Sequence, residues 1–283
     1  MVRVGEYNTL KVKKELAFGL ILDDGQEGIL LPTRFVPKSA RPGDELEVFL
    51  YHDGEDRLIA TTQHPKGKLG EIVKLRAVSV TPQGAFLDWG LMKDIFVPKS
   101  KQLMGMRPNG EYLVKIYLDE QTGRLAATEK FEPTLSNEDL TLKEKDLVHL
   151  TVYRRTDIGY LVIINHRHTG VLHFNEIFRD ITSGDSFPGF IKKIVPADQT
   201  ASGETEIDVV AGKPGYERTE DAAAKVLRLL KENKGHLPYH DRSDPETIYS
   251  FFGMSKKTFK MTTGRLYKER KIKITDNGIE LIG

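Results

Sequence analysis

The sequence predicts a mainly β protein with three tandem five-stranded Greek-key barrels, followed by a small α/β domain with a winged helix-turn-helix. Two observations predict this architecture. Short motifs recur at a spacing of 66 or 67 residues, which is too long for a solenoid repeat and suits a small domain. Beyond residue 215 the strand pattern is replaced by three predicted helices and a terminal hairpin.

The repeat is clearest in the first half of the chain. Residues 58–63 read LIATTQ, and residues 125–130 read LAATEK. Residues 29–32, ILLP, return as IFVP at 95–98. A looser third copy lies within 159–185. We therefore expect one small module, used three times, to account for most of the chain.

Each copy has the pattern of five short strands separated by turns. Apolar and polar residues alternate within the strands, and Asp-Gly pairs supply turn chemistry between them. Five such strands with a longer connection after the third are typical of an OB-type barrel. The predicted strands are residues 10–12, 19–22, 28–31, 45–50 and 57–60, then 72–78, 85–88, 94–97, 112–117 and 124–128, then 148–153, 160–164, 170–173, 187–194 and 206–210.

The last part of the chain has helical periodicity. A first helix is predicted over 220–232, and Asp244 and Ser255 are candidate N-caps of a second and a third helix. Pro245 suits the first position of the second helix. An Asn-Gly turn then joins two short strands within 272–282. This order predicts a winged helix, whose third helix occupies the position of a recognition helix.

These patterns divide the chain into five segments. The predicted boundaries are 1–65 for the first barrel, 66–131 for the second, 132–144 for a linker, 145–214 for a degenerate third barrel and 215–283 for the winged helix domain.

Composition narrows the classes of function. The chain has no cysteine, which excludes a disulfide framework and thiolate metal sites. No stretch approaches the roughly 18 apolar residues of a membrane span, and the N-terminus lacks an apolar signal core. We therefore expect a cytoplasmic protein without a membrane partner.

Motifs for catalysis are missing from the sequence. There is no phosphate-binding P-loop and no Gly-x-Ser-x-Gly elbow. His166 and His168 are closely spaced, but no acidic or cysteine residues are spaced around them as zinc ligands. We therefore expect a protein that is not an enzyme, with no catalytic residues, no cofactor and no metal.

Charge is concentrated near the C-terminus. The net charge of the chain is +1, but residues 254–273 contain eight basic residues and one acidic residue. A charged run is often only a solvated surface. On the third helix of a winged helix, this run indicates either nucleic-acid contact or an interaction surface for protein, and the sequence leaves both open.

The barrel motifs resemble the S1 RNA-binding module. The resemblance rests on the strand at 84–88, GAFLD, the element GVLH at 170–173 and the Gly-Asp at 184–185. Three such modules before a winged helix resemble the conserved virulence factor B family over essentially the whole chain, with a specific local match at 255–267. The resemblance implies a cytoplasmic RNA-binding protein that influences gene expression, in which the S1 modules and the winged helix bind jointly.

The resemblance also suggests which residues contact RNA. Aromatic rings stack on bases, with about 1–3 kcal/mol per base, and arginine pairs with phosphate. An aromatic residue on an alternating strand is equally compatible with a place in the core, and a hairpin arginine with simple solvation. The candidate RNA-binding residues are Phe18 and Arg57 in the first module, Phe86, Asp119 and Arg124 in the second, Tyr160 and His173 in the third, and Lys256, Lys257, Lys260, Arg265 and Lys268 on the third helix.

Our leading hypothesis is a non-catalytic regulator that binds single-stranded RNA and acts post-transcriptionally. One alternative is a transcription regulator that binds duplex DNA through the winged helix. Another is an adaptor that docks on RNA machinery. No module carries the full set of S1 residues, so we expect unequal modules and a composite binding surface.

Overall fold

Five strands close the first barrel, and the fifth strand lies between the third and the fourth. The computed structural model describes residues 2–177, 180–211, 217–252 and 254–282. The third and fifth strands pair in parallel and all other neighbours are antiparallel. The strands are β1 (Tyr7–Leu16), β2 (Gly19–Leu22), β3 (Ile29–Pro32), β4 (Glu45–His52) and β5 (Leu58–Thr61).

The second and third barrels repeat this strand order and the single parallel pair. The fold class predicted from the sequence is confirmed, including the closed form of the degenerate third copy. The strands are β6 (Ile72–Val80), β7 (Gly84–Asp88), β8 (Ile95–Pro98), β9 (Glu111–Leu118) and β10 (Leu125–Thr128), followed by β11 (Leu147–Arg155), β12 (Gly159–Ile164), β13 (His168–His173), β14 (Ser186–Val195) and β15 (Glu206–Ala211).

A glycine begins the second strand of every barrel, at Gly19, Gly84 and Gly159. A Cβ atom at these positions would lie 2.2, 2.3 and 2.2 Å from a carbonyl oxygen of the neighbouring strand. Real Cβ atoms do not approach that closely, so only glycine permits this strand pairing. The recurring glycine of the sequence is therefore a requirement of barrel closure.

The first and second barrels share a hydrophobic core and lie within one compact unit, residues 1–135. Phe49 and Tyr51 from β4 pack edge-on against the Trp89 ring, at centroid distances of 5.8 and 6.3 Å. Trp89 is 2% exposed, and its indole N–H donates to the carbonyl oxygen of Lys93 at 2.6 Å. The shared core fixes the placement of these two barrels relative to each other.

The stretch that precedes the third barrel is bonded to that barrel. The Asn137 side-chain amide donates to the carbonyl oxygens of Thr169, at 3.0 Å, and Thr205, at 2.8 Å. His168 Nδ1 lies 2.6 Å from the carbonyl oxygen of Ser136. Part of the predicted linker therefore packs against the third barrel.

The C-terminal domain has the predicted order of three helices and a hairpin. Asp244 and Ser255 cap the second and third helices through backbone N–H groups, as predicted. Phe252, Phe259 and Leu266 are fully buried in its core. The elements are α1 (Glu217–Glu232), β16 (His236–Leu237), α2 (Pro245–Phe252), α3 (Lys256–Lys268), β17 (Ile272–Thr275) and β18 (Gly278–Leu281), with sheet order β16-β18-β17.

Candidate functional site

An aromatic pair lies on the surface of the second barrel. Phe86 on β7 and Phe96 on β8 are register partners, and their ring centroids lie 4.9 Å apart at an interplanar angle of 43°. Both side chains are half-buried. A Cβ atom at Gly84 would lie 2.7 Å from the Phe96 ring. The glycine that closes the barrel therefore also makes room for this ring.

The two rings line a cavity of about 440 Å³, a size that suits a small organic group. One wall comes from the first barrel, through Tyr51 and His52. The second barrel supplies the remaining lining, which combines apolar and polar side chains: Phe86, Trp89, Lys93, Asp94, Ile95, Phe96, Pro98, Asp119, Gln121, Thr122, Arg124, Leu125 and Ala126.

Two cations that line this cavity, Lys93 and Arg124, are paired with the first barrel. Arg124 Nη2 donates to Asp56 Oδ2, and Lys93 Nζ lies 3.8 Å from Asp56 Oδ1. Lys93 Nζ also donates to the carbonyl oxygen of Asp53 at 2.6 Å. Exposed fractions of 37% for Lys93 and 49% for Arg124 show that solvent reaches both side chains.

Asp119 organises the hairpin that carries Arg124. Its Oδ1 atom accepts hydrogen bonds from the Thr122 backbone N–H and hydroxyl, both at 2.9 Å. These bonds hold the pKa of Asp119 below its usual value. Its backbone N–H donates to the Arg124 carbonyl oxygen at 2.8 Å. The predicted site residue Asp119 therefore acts on the shape of the hairpin.

His52 contributes a neutral imidazole to the cavity wall. Burial lowers the pKa of His52, and the nearby Lys93 ammonium lowers it further. Because the ordinary pKa of histidine is already below 7, the ring is uncharged at neutral pH. Its Nδ1 atom is buried, so only Nε2 can face a ligand.

The other barrels do not present the same surface. Register places Ile21 and Leu30 of the first barrel, and Leu161 and Val171 of the third, at the positions equivalent to the Phe86–Phe96 pair. Phe18 instead lies in the turn before β2, where its side chain is 61% exposed. An aliphatic pair offers less flat surface to a base than two rings do.

Arg57 is held by carboxylates of its own hairpin. Its Nε and Nη2 atoms donate to Asp53 Oδ2 at 3.0 and 2.7 Å, and Nη1 lies 2.8 Å from Glu55 Oε2. Burial acts to raise the pKa of Asp53, but hydrogen bonds from Arg57 and the Glu55 N–H outweigh it, so the pKa is lowered. A ligand phosphate must compete with two acids for this guanidinium.

On the third barrel, Tyr160 and His173 both have protein partners. The Tyr160 ring packs edge-on against Phe174 at 5.7 Å, and its hydroxyl donates to the Ile181 carbonyl oxygen at 3.3 Å. His173 Nε2 lies 2.9 Å from Asp208 Oδ1. The Arg155 guanidinium lies 5.1 Å from the centre of the Phe174 ring. This cation and this aromatic residue belong to no motif of the sequence.

On α3, lysines lie before and after Gly264 along the helix. Lys257, Lys260 and Lys268 are exposed, and Lys256 is half-buried. Arg265 is paired with Glu269 at 2.6 Å. The same helix exposes 55% of Met261 and 56% of Tyr267, and Gly264 lies between these side chains in helical register.

Of the cavity residues, sequence reasoning found Phe86, Asp119 and Arg124. It missed Phe96, although the repeat pairs IFVP with ILLP and so contained a signal for it. It also missed the cavity residue Lys93 and its partner Asp56, which does not line the cavity. The local sequence carries no signal for this pair, because their contact joins two barrels.

Two further findings concern only the described part of the chain. No cluster of three or more His, Asp or Glu side chains there has the arrangement of a metal site. No helix within it combines the length and apolar character needed to cross a membrane.

Comparisons with known protein families match the first two barrels and the C-terminal domain. The S1 domain family matches residues 4–63 and 69–130, and the CvfB-like winged helix domain family matches residues 224–281. The S1 match supports nucleic-acid binding. Both families consist of domains that typically bind and do not catalyse.

Curated relatives cover most of the chain. The uncharacterized protein YitL of Bacillus subtilis is 28% identical over 283 residues, covering 96% of this chain and 91% of its own. Conserved virulence factor B of Staphylococcus epidermidis is 26% identical over 251 residues, with coverages of 84% and 80%. A multidomain protein with nucleic acid binding domains from Streptococcus pneumoniae is 21% identical, with coverages of 99% and 98% and a TM-score of 0.43.

Proposed function

We propose that the chain is a member of the conserved virulence factor B family and a non-catalytic protein that binds single-stranded RNA. The observation that carries the proposal is the Phe86–Phe96 pair in a cavity that Lys93 and Arg124 also line. Half-buried rings offer a face on which a base can stack, and nearby cations can pair with phosphate.

The geometry favours a single strand over a duplex. The bases of a duplex are stacked on one another, whereas unpaired bases can leave the strand and stack on protein rings. A cavity of about 440 Å³ accepts one such base. The preference for RNA over single-stranded DNA rests on the resemblance of the barrels to S1 modules.

The first turn of α3 supports a second contact with nucleic acid. It contains Lys256 and Lys257 and no acidic residue. Positive charge at a helix N-terminus opposes the helix dipole, so these lysines do not serve the stability of α3. We infer that α3 and the barrels bind RNA together, and that the protein acts in the cytoplasm on gene expression after transcription.

Duplex DNA is the second candidate ligand, because α3 occupies the recognition position of a winged helix and exposes lysines. Fluorescence anisotropy with single-stranded RNA and duplex DNA of equal length, at two salt concentrations, separates the candidates. We expect tighter binding of RNA, with a salt slope of about −0.7 for each phosphate neutralised. Tighter binding of the duplex would favour transcription control, and binding of neither would favour an adaptor.

Gly264 provides a test of the α3 contact. A Cβ atom at this position would meet nothing within 4 Å in the described part of the chain. Alanine in a helix is more stable than glycine by about 1 kcal/mol. We therefore expect Gly264→Ala to raise the melting temperature but weaken RNA binding several-fold, because a methyl group would obstruct a closely approaching strand.

Thermal unfolding and anisotropy on the same preparation measure both effects. A more stable variant with unchanged RNA affinity would show that the strand does not approach α3 at Gly264. A variant that is both less stable and weaker in binding would indicate a structural role for the glycine instead.

A further inference from the structure

We propose that Arg124 and Lys93 form the phosphate subsite of a nucleotide-binding pocket, and that the Asp56 carboxylate of the first barrel fills this subsite until RNA displaces it. The inference rests on the proposed function and makes it more specific. It assigns one strand phosphate to Arg124 and Lys93, and the base next to that phosphate to the Phe86–Phe96 rings.

The contacts of Asp56 define the subsite. One carboxylate oxygen, Oδ2, accepts a hydrogen bond from Arg124, and the other, Oδ1, lies 3.8 Å from Lys93 Nζ. Two oxygens of one anion thus face two cations from different loops. The non-bridging oxygens of a phosphodiester present the same arrangement to an arginine and a lysine.

Lys93 and the hairpin that carries Arg124 are held in place independently of Asp56. Lys93 Nζ donates to the carbonyl oxygen of Asp53 at 2.6 Å, and the Lys93 carbonyl oxygen accepts from the Trp89 indole N–H at 2.6 Å. The Asp119 N–H bond to the Arg124 carbonyl oxygen fixes the second hairpin. The Lys93 ammonium and the backbone of the Arg124 hairpin therefore keep their positions when the anion is exchanged.

The residues that line the cavity determine which kind of anion can bind there. Lys93 and Arg124 line the same cavity as the aromatic pair, so a phosphate at the subsite places its attached base within reach of the rings. Inorganic phosphate would use the cations and leave the rings without a ligand. A nucleotide unit of a single strand satisfies both parts of the pocket.

Exchange of Asp56 for a phosphate is energetically feasible. Asp56 is 44% exposed and Arg124 is 49% exposed, and ion pairs at such exposed positions are weak. Backbone hydrogen bonds hold the turn without the Asp56 carboxylate. The Asp56 N–H donates to the Asp53 carbonyl oxygen at 3.1 Å, and the Asp53 N–H donates to the Arg57 carbonyl oxygen at 3.0 Å. Removing the charge of Asp56 should therefore leave the hairpin folded.

The test is Asp56→Asn in the full chain. Asp56 has φ of 63°, a left-handed conformation that asparagine adopts readily. We expect the affinity for single-stranded RNA to rise about threefold to fivefold at low salt, since the internal competitor is lost. The salt slope should change little, because the same phosphate is neutralised in both complexes.

Glu55→Gln is the matched control. It changes the net charge equally on the same hairpin, but Glu55 pairs with Arg57, 2.8 Å away, and not with Arg124. Asp56→Gly, which also accommodates the positive φ, serves as a second variant, and thermal unfolding verifies the fold of each protein.

The outcomes separate the subsite from the proposed function. The subsite is supported if both Asp56 variants gain more affinity for single-stranded RNA than Glu55→Gln does. Equal affinities for Asp56→Asn, Asp56→Gly and Glu55→Gln, with RNA binding by the wild type retained, overturn the subsite alone. Failure of the wild type and all variants to bind RNA overturns the proposed function and the subsite together.

Discussion

Replacing Phe86 by alanine should lower the affinity for single-stranded RNA by about 5-fold to 150-fold, the range that corresponds to 1–3 kcal/mol per stacked base. The Phe86 ring forms a tilted pair with Phe96 at 4.9 Å and lines the cavity of the second barrel. Its removal eliminates a stacking face and leaves Phe96 without its partner. Anisotropy with a labelled RNA measures the loss.

Two variants control for damage to the fold. Phe86→Leu retains an apolar side chain of the kind found at the equivalent Leu161, so it should keep the barrel stable and still weaken binding. Ile21→Ala truncates the equivalent position of the first barrel and should affect binding less. Normal RNA binding by a folded Phe86→Ala protein would contradict the proposed site.

Reversing the charge at Lys256, Lys257 and Lys260 to glutamate should reduce RNA affinity on the order of 100-fold at low salt, and reduce the magnitude of the salt slope by about 2. These lysines lie in the first half of α3, which has no acid in its first turn. Glutamate there is favourable for the helix dipole. Stability should therefore be maintained while binding falls.

The control carries the same change in net charge at other exposed lysines, namely Lys38, Lys143 and Lys231 to glutamate. A titration at several salt concentrations distinguishes a local contact from a general effect of charge. If the α3 variant and the control lose affinity equally, only the total charge matters. If neither loses affinity, binding is confined to the barrels.

The elements that follow from local sequence were predictable. Asp244 and Ser255 cap helices because their side-chain oxygens reach backbone N–H groups two or three residues away. The glycines that begin the second strands mark positions where a Cβ atom would collide with the neighbouring strand. Such features depend on a few neighbouring residues or on one strand pair, so a repeated motif reveals them.

The partners of the candidate site residues were not predictable in the same way. Arg57 and Arg124 occupy similar hairpin positions in the repeat. In the structure, Arg57 is held by Asp53 and Glu55 of its own turn, whereas Arg124 meets Asp56 of another barrel. The second contact joins residues 68 positions apart in the chain, and no motif encodes it.

The sequence by itself determined the three barrels, the winged helix and the basic α3, because alternation, turn residues and caps act over short distances. Only the tertiary structure decided that the second barrel has a cavity with two rings, and that the first barrel supplies its wall and the Asp56 carboxylate. The shared core around Trp89 brings those surfaces together. Burial of that core orders residues that are distant in the chain, and periodicity alone cannot report such contacts.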